Sequence, residues 1–412
     1  MPSLSRTASA LRASVFADLA PRIEERARRG GDLIELHIGD THLPPPKDAR
    51  FASIETAAFD EALYRYGGVA GLPSLKEAFA ERLAACGFGP REVTAAHVLV
   101  GCGATHALFC SVRAVLDPGD EVLVAAPYWP LSVGVLRAAG AVPIEVPLTN
   151  RLYADPSLDA ASVFAEALTP RTRAIYFITP NNPDGKVLSV AQLEGIARLA
   201  VARGLWVVAD EVYADYVYTG AHTSIARLEG MAERTLTAYS LSKSHSLAGA
   251  RVGFVVGPER VVALARRVAT HTVFNVPLAS QRIALAALRA PSAWLEGARA
   301  GYREARDAVM EALARFEGDS ASGGLRAFAP DGGSYVFIDF AAALRGRPLR
   351  GLLERAVDQG VLLAPGEGFG DAFVTWARLC FTGVRLGRVL EGVARLREAM
   401  GDWTASSDGD SD

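Results

Sequence analysis

This 412-residue chain offers little that would bind a metal, form disulfides, enter a membrane or grip a nucleic acid. It holds four cysteines, Cys86, Cys102, Cys110 and Cys380. Their spacing suits neither a zinc site nor a disulfide framework, so they read as reduced, small apolar residues of a cytosolic protein. Its histidines, His37, His42, His97, His106, His222, His245 and His271, are scattered without metal-ligand spacing. No apolar run approaches the ~18 residues of a membrane span, and no signal-peptide core opens the chain. Lys and Arg number 43 against 46 Asp and Glu, a net charge of −3. That balance leaves no basic face for nucleic acid and no long acidic tract. The expectation is a cytoplasmic protein acting on small molecules, and a chain of this length should split into two domains.

Chemistry concentrates around Lys243. Ser240 and Ser242 precede it closely and Arg251 follows, in the run Tyr239-Ser-Leu-Ser-Lys-Ser-His-Ser-Leu-Ala-Gly-Ala-Arg251. Such a cluster suits an amine that holds an aldehyde cofactor as a Schiff base. The hydroxyls and guanidinium are then free for a phosphate on the same molecule. Alone, a short motif of this kind is weak. Two upstream segments strengthen it. An apolar run over 174–178 reads as a buried strand and ends in the turn residues Pro180, Asn181, Asn182, Pro183, Asp184 and Gly185. A second such strand delivers Asp210, and a third, over 235–239, precedes Lys243. Ligands of open α/β sheets bind past the carboxyl ends of the strands, so Asn182, Asp210 and Lys243 should share one crevice. A strand from Val98, a glycine turn over 101–105 and an apolar-periodic helix through Val115 offer backbone donors for an anion.

In this order the segments resemble the class I/II aminotransferase family of fold-type I pyridoxal-phosphate (PLP) enzymes, from about Ile34 to Arg385. The resemblance implies an α/β protein. Its large three-layer α/β/α domain would carry a mostly parallel sheet, and a smaller α+β domain would join it. Lys243 would hold PLP as an internal aldimine and later serve as the base at the substrate Cα. Asp210, opening the pattern Asp-Glu-x-Tyr, would face the pyridine nitrogen. Asn182 and Tyr213 would hydrogen-bond the ring 3-oxygen; Asn181 is a rival, although Pro183 and Gly185 align Asn182 with the family motif. Asp184 replaces the usual threonine. Gly103, Ala104, Thr105, Ser240, Ser242 and Arg251 would cradle the phosphate, and Trp129 would stack on the ring.

Tyr66 aligns with a tyrosine that reaches the neighbouring subunit's phosphate, which implies a homodimer with shared active sites. Lys76 stands nearby where the family has arginine. Arg378 would clamp the substrate α-carboxylate, with Gly39, His42 and Asn182 completing the substrate side. Thr41 and His42 depart from the family's Pro-Asp. They suggest a polar substrate or a second acid/base, against simple drift in a loop. The activity implied is amino transfer between an α-amino acid and a 2-oxo acid. The same cradle would serve a β- or γ-eliminase, a lyase or a cyclase acting on a polar amino acid. A DNA-binding regulator of this family would need a winged-helix domain, and none is legible ahead of residue 34.

The organisation expected is an N-terminal helix and segment over 1–46, with Leu11, Val15, Leu19 and Ile23 at helical spacing, joining the small domain. The PLP-binding domain would span 47–285. The small domain would span 286–402, with a helix over 298–316, a strand over 333–340 and a helix over 348–359. A disordered acidic tail would occupy 403–412.

Overall fold

Apolar runs broken by glycine, proline and asparagine build two sheets and a short strand pair. The computed structural model describes residues 3–11, 19–55, 61–316 and 324–408. In chain order the strands are β1 (Ile34–Glu35), β2 (Val98–Cys102), β3 (Glu121–Ala126), β4 (Val142–Pro147), β5 (Thr172–Ile178), β6 (Trp206–Asp210) and β7 (Thr235–Ser240). They continue with β8 (Val252–Val256), β9 (Arg326–Ala327), β10 (Tyr335–Asp339), β11 (Val361–Leu362), β12 (Ala364–Pro365) and β13 (Trp376–Cys380).

The large sheet has the order β2-β8-β7-β6-β5-β3-β4. β8 runs antiparallel to both neighbours and the other strands are parallel. Parallel strands are covered on both faces and so carry unbroken apolar runs; β3, Glu-Val-Leu-Val-Ala-Ala, is buried throughout. Its alternate residues sort into two cores. Val122, Val124 and Ala126 meet the helices Gly103–Val115, Pro130–Ala138 and Glu259–Thr272. Leu123 and Ala125 meet Ala160–Ala165 and Val190–Arg203. The last helix is delimited by local signals. Ser189 and Gln192 form a capping box at its start, and Gly204 closes it at φ 66°.

The smaller domain carries the antiparallel sheet β12-β13-β10-β9, with β1 and β11 paired in parallel beside it. Its core joins Leu19, Ile34 and Leu36 to Tyr302, Val309, Val336, Ile338, Leu352, Leu379 and Leu396. The helix expected at 298–316 begins earlier, at Ser292 behind Pro291, and ends at Ala314; the one expected at 348–359 spans Leu349–Gln359 and ends on Gly360 in the left-handed region. Of the N-terminal helix expected, the described residues form Arg6–Ser9 and Ala20–Arg28, the latter with a proline in its first turn. Val15 lies outside the described residues. No helix among the described residues is long and apolar enough to cross a membrane.

The expected disordered tail requires correction. The final helix, Leu386–Asp408, continues through 403–408, and only 409–412 lie outside the described residues. Trp403 is the physical reason. Its ring is 7 % exposed, with the Arg347 guanidinium 3.7 Å from its centroid and that of Arg355 at 5.5 Å, so apolar burial and cation–π attraction hold the last turns. Trp403→Ala is expected to lower stability by about 3 kcal/mol, read as an earlier first urea transition. A midpoint equal to wild type would return these residues to a tail.

Candidate functional site

Because β2, β3, β5, β6 and β7 are parallel, the residues that follow them emerge at one edge of the large sheet. A cavity of about 290 Å³ lies there. Ala104 and Thr105 after β2, Trp129 after β3 and Asn182 after β5 border it, with Asp210 and Tyr213 from β6 and its turn. Ser240, Ser242 and Lys243 from the end of β7, together with Arg251, close one side. Gly39, Tyr335 and Arg378 approach from the smaller domain.

Asp210 accepts hydrogen bonds from the Tyr176 hydroxyl at 3.1 Å and the Val212 N–H at 3.3 Å. Burial pushes its carboxyl up to about 6, with the Glu211 charge adding to the rise and the two donors opposing it. A cation brought against Asp210 would favour the charged form again. Lys243 donates to the Gly39 carbonyl. Burial draws its ammonium below the usual lysine range, helped by Arg378 and Arg251 and opposed by Cys380 and Asp40. The site thus favours a neutral, nucleophilic amine.

The anion cradle depends on close backbone approach. Gly103 opens the helix Gly103–Val115 at φ 78°, where a Cβ would stand 2.5 Å from Arg251 Nη2. Gly103 itself does not border the cavity; it lets the guanidinium cross the helix start. Arg251 is fixed by a 2.9 Å bond from Nη1 to the Ala248 carbonyl, and Ser240 Oγ accepts from the Ser242 N–H at 3.1 Å. A helix N-terminus, hydroxyls and a guanidinium together suit a phosphate. With an amine and a buried carboxylate in the same cavity, the residues present fit PLP.

Arg378 is 7 % exposed. Nη1 donates to Asn182 Oδ1 at 2.8 Å and Nη2 to the His37 carbonyl at 2.6 Å, while the buried Nε has no hydrogen-bond partner. Its guanidinium carbon lies 4.2 Å from the Tyr335 ring centroid and 4.9 Å from that of Phe369. Of the two asparagines, Asn182 borders the cavity and Asn181 does not. Asn181 instead turns its amide to the Pro127 carbonyl at 3.0 Å and Asp184 Oδ1 at 2.9 Å. Asp184 also accepts from Thr149 and the Lys186 N–H, which accounts for an acid in that turn.

Two expected site residues stand apart. His42 does not border the cavity: its backbone N–H and ring Nδ1 both engage the Thr382 carbonyl, at 2.8 and 3.0 Å, and its ring meets Tyr302 edge-on. Those contacts hold it over the loop, outside the cavity lining. Tyr66 is 87 % exposed, edge-on to Phe274, and reaches nothing in its own cavity. The sequence reading missed Tyr335, whose hydroxyl lies 2.6 Å from that of Tyr213. It also missed His37, drawn down to about 4 by burial and by Arg378. An aromatic opening a strand after Gly332-Gly333 was the available signal for Tyr335; His37 carried none.

The chain matches the aminotransferase class I and II family over residues 31–396 and belongs to it. It is accordingly a PLP-dependent aminotransferase. An arginine–pyruvate transaminase of Pseudomonas aeruginosa is 37 % identical over 93 % of this chain and 92 % of its own length. An aspartate/prephenate aminotransferase of Thermus thermophilus is 33 % identical over 90 % and 92 %. Among solved structures, the Thermus thermophilus aspartate aminotransferase with maleate aligns with a TM-score of 0.85 at 32 % identity, covering 97 % of this chain and all of that one. An aromatic aminotransferase of Pyrococcus horikoshii gives 0.81 at 28 % identity, over 92 % and 99 %. These names favour amino transfer over the eliminase, lyase or cyclase alternative.

The raised Asp210 pKa has a measurable consequence. With values of about 6 folded and 3.8 ordinarily, the folded protein keeps a proton that the unfolded chain releases. The stabilising share is complete below about 3.8 and disappears as pH rises through about 6. In cofactor-stripped protein this loss is expected to reach roughly 3 kcal/mol. Thermal melts across that window should fall less steeply in Asp210→Asn; equal slopes would place the titration elsewhere.

Proposed function

We propose that Lys243, Asp210 and Arg378 perform the amino transfer, with the α-carboxylate of the amino acid bound at Arg378. The observation that carries this reading is their convergence on one buried cavity, with Asn182 hydrogen-bonded to Arg378 at 2.8 Å. PLP, when bound, supplies a sink for the electrons released at the substrate Cα.

The chain's own groups do the rest. Lys243 Nζ would anchor the cofactor, and as a free amine it would take the substrate Cα proton and return it. Its burial keeps the neutral amine accessible. Asp210 would hold the ring nitrogen's proton. Tyr213 and Asn182 would hold the 3-oxygen, with Tyr335 fixing the Tyr213 hydroxyl. Trp129 would cover the ring. Arg378, backed by the Tyr335 ring, orients the carboxylate so that the Cα–H bond meets Lys243, and the unpartnered Nε offers it a further donor. Ala104, Thr105, Ser240, Ser242 and Arg251 would hold the phosphate.

The exposed Tyr66 beside Phe274 supports a homodimer in which this tyrosine serves the partner's phosphate. The four free cysteines suit a reducing, cytoplasmic setting. Residues 1–46 and 286–402 would then act together as the smaller domain against 47–285.

Single-turnover half-reactions test these roles. Wild-type enzyme should convert bound PLP to pyridoxamine phosphate with an amino acid and reverse with a 2-oxo acid. Lys243→Ala should lose both directions while remaining folded. Arg378→Lys is expected to raise KM by roughly 10- to 100-fold for every α-amino acid, because an ammonium lacks the planar fork. His42→Ala should leave both constants within about threefold, as expected of an outlying side chain. Normal turnover by Lys243→Ala, or an unchanged KM in Arg378→Lys, would remove the corresponding role.

A further inference from the structure

A second, larger cavity of about 1010 Å³ adjoins the first. The two share Gly39, Thr105, Trp129, Leu131, Arg251 and Arg378 as a common wall. A molecule whose carboxylate sits at Arg378 therefore has room to extend its side chain into the larger space. Phe109, Tyr128, Val133, Val135, Ala138 and Phe369 supply much of the far lining. Among the described residues no Asp or Glu borders this cavity, and Arg137 is the guanidinium it adds beyond the shared wall. Within this chain a cationic side chain would meet His37, His106 and Arg137 along that wall and no carboxylate. A short acidic one would fill little of the volume. An apolar side chain of good size gains from every wall it covers.

Gly134 sits midway along the helix Pro130–Ala138 and borders the larger cavity. Glycine weakens a helix interior, and no described neighbour requires it here: a Cβ built on Gly134 meets no described heavy atom within 4 Å. A side chain at this position would grow into the cavity.

We infer that this space is the side-chain subsite for bulky apolar amino acids, with aromatic ones the best fit, and that Gly134 sets its depth. The inference rests on the reading of Arg378 as the carboxylate clamp.

The test compares L-phenylalanine, L-leucine, L-alanine, L-aspartate, L-glutamate and L-arginine as donors in the half-reaction of PLP-loaded enzyme. Phenylalanine and leucine are expected to exceed alanine in kcat/KM by about 10- to 100-fold, with aspartate, glutamate and arginine below them. Gly134→Leu should lose about 10-fold or more with phenylalanine and hold alanine within about threefold. A second readout avoids turnover. Calorimetry with 3-phenylpropanoate, which lacks the reacting amine, should show tighter binding than propanoate in wild type and lose that margin in Gly134→Leu. A dicarboxylic donor or arginine as the best substrate would overturn the proposal, as would an equal loss for phenylalanine and alanine in the folded variant. Were no amino acid to convert the cofactor, the roles of Lys243 and Asp210 would fall, and the binding comparison would still decide the subsite.

Discussion

A buried guanidinium whose recorded hydrogen bonds run to neutral oxygens ties this structure together. Arg378 comes from β13, yet it reaches Asn182 past the end of β5 and the His37 carbonyl just after β1. Three stretches far apart in sequence meet at one side chain. Two amide-type oxygens hydrate the guanidinium in part, and the Tyr335 face adds cation–π attraction. Neither cancels its charge. Among the described residues no carboxylate pairs with it; such a buried charge is costly, and an arriving carboxylate lowers that cost. The scaffold thus stores an affinity for anions where the large sheet faces the small one.

The other ionisable groups obey the same low polarity. Burial raises the Asp210 carboxyl and lowers the Lys243 ammonium, so both lean toward their neutral forms. A cationic ring nitrogen and an aldehyde are the partners that would repay each shift. Supporting layers lie behind them. Tyr176 donates to Asp210, while the adjacent Glu211 turns away to accept from Tyr239 at 2.7 Å and to pair with His222 at 3.0 Å. Neighbouring carboxylates on one turn are thereby given separate surroundings, which limits their mutual repulsion and leaves Asp210 directed at the cavity.

Departures from the family pattern find physical accounts in side-chain contacts. Asp184, standing for threonine, gathers Thr149, Asn181 and the Lys186 N–H. Asn181 links that network to the Pro127 carbonyl, two residues before Trp129. The turn presenting Asn182 and the loop presenting Trp129 are therefore braced against each other. His42 plays a comparable part near the smaller domain by holding the Thr382 carbonyl.

Much of the cavity lining was legible because it is local. An apolar run that ends in polar turn residues announces both a strand and the edge at which it stops, as at Asn182 and Asp210. The glycine turn before Gly103–Val115 likewise declares a helix start with free amides. Parallel alignment then carries those ends to one place without further instruction. Residues that depend on one layer meeting another escaped: Tyr335 and His37 matter only once β10 and the segment after β1 settle against Arg378. For His42 the sequence left a pocket role and a loop role open, and only packing places it against Thr382. The final helix runs past its expected end because Trp403 finds Arg347, a contact no local pattern announces. The sequence by itself determined the strands, the turns and the groups they deliver, since each follows from neighbours along the chain. Tertiary structure alone decided which groups share a desolvated cavity, and how much apolar space lies beside it, because burial belongs to the assembled layers.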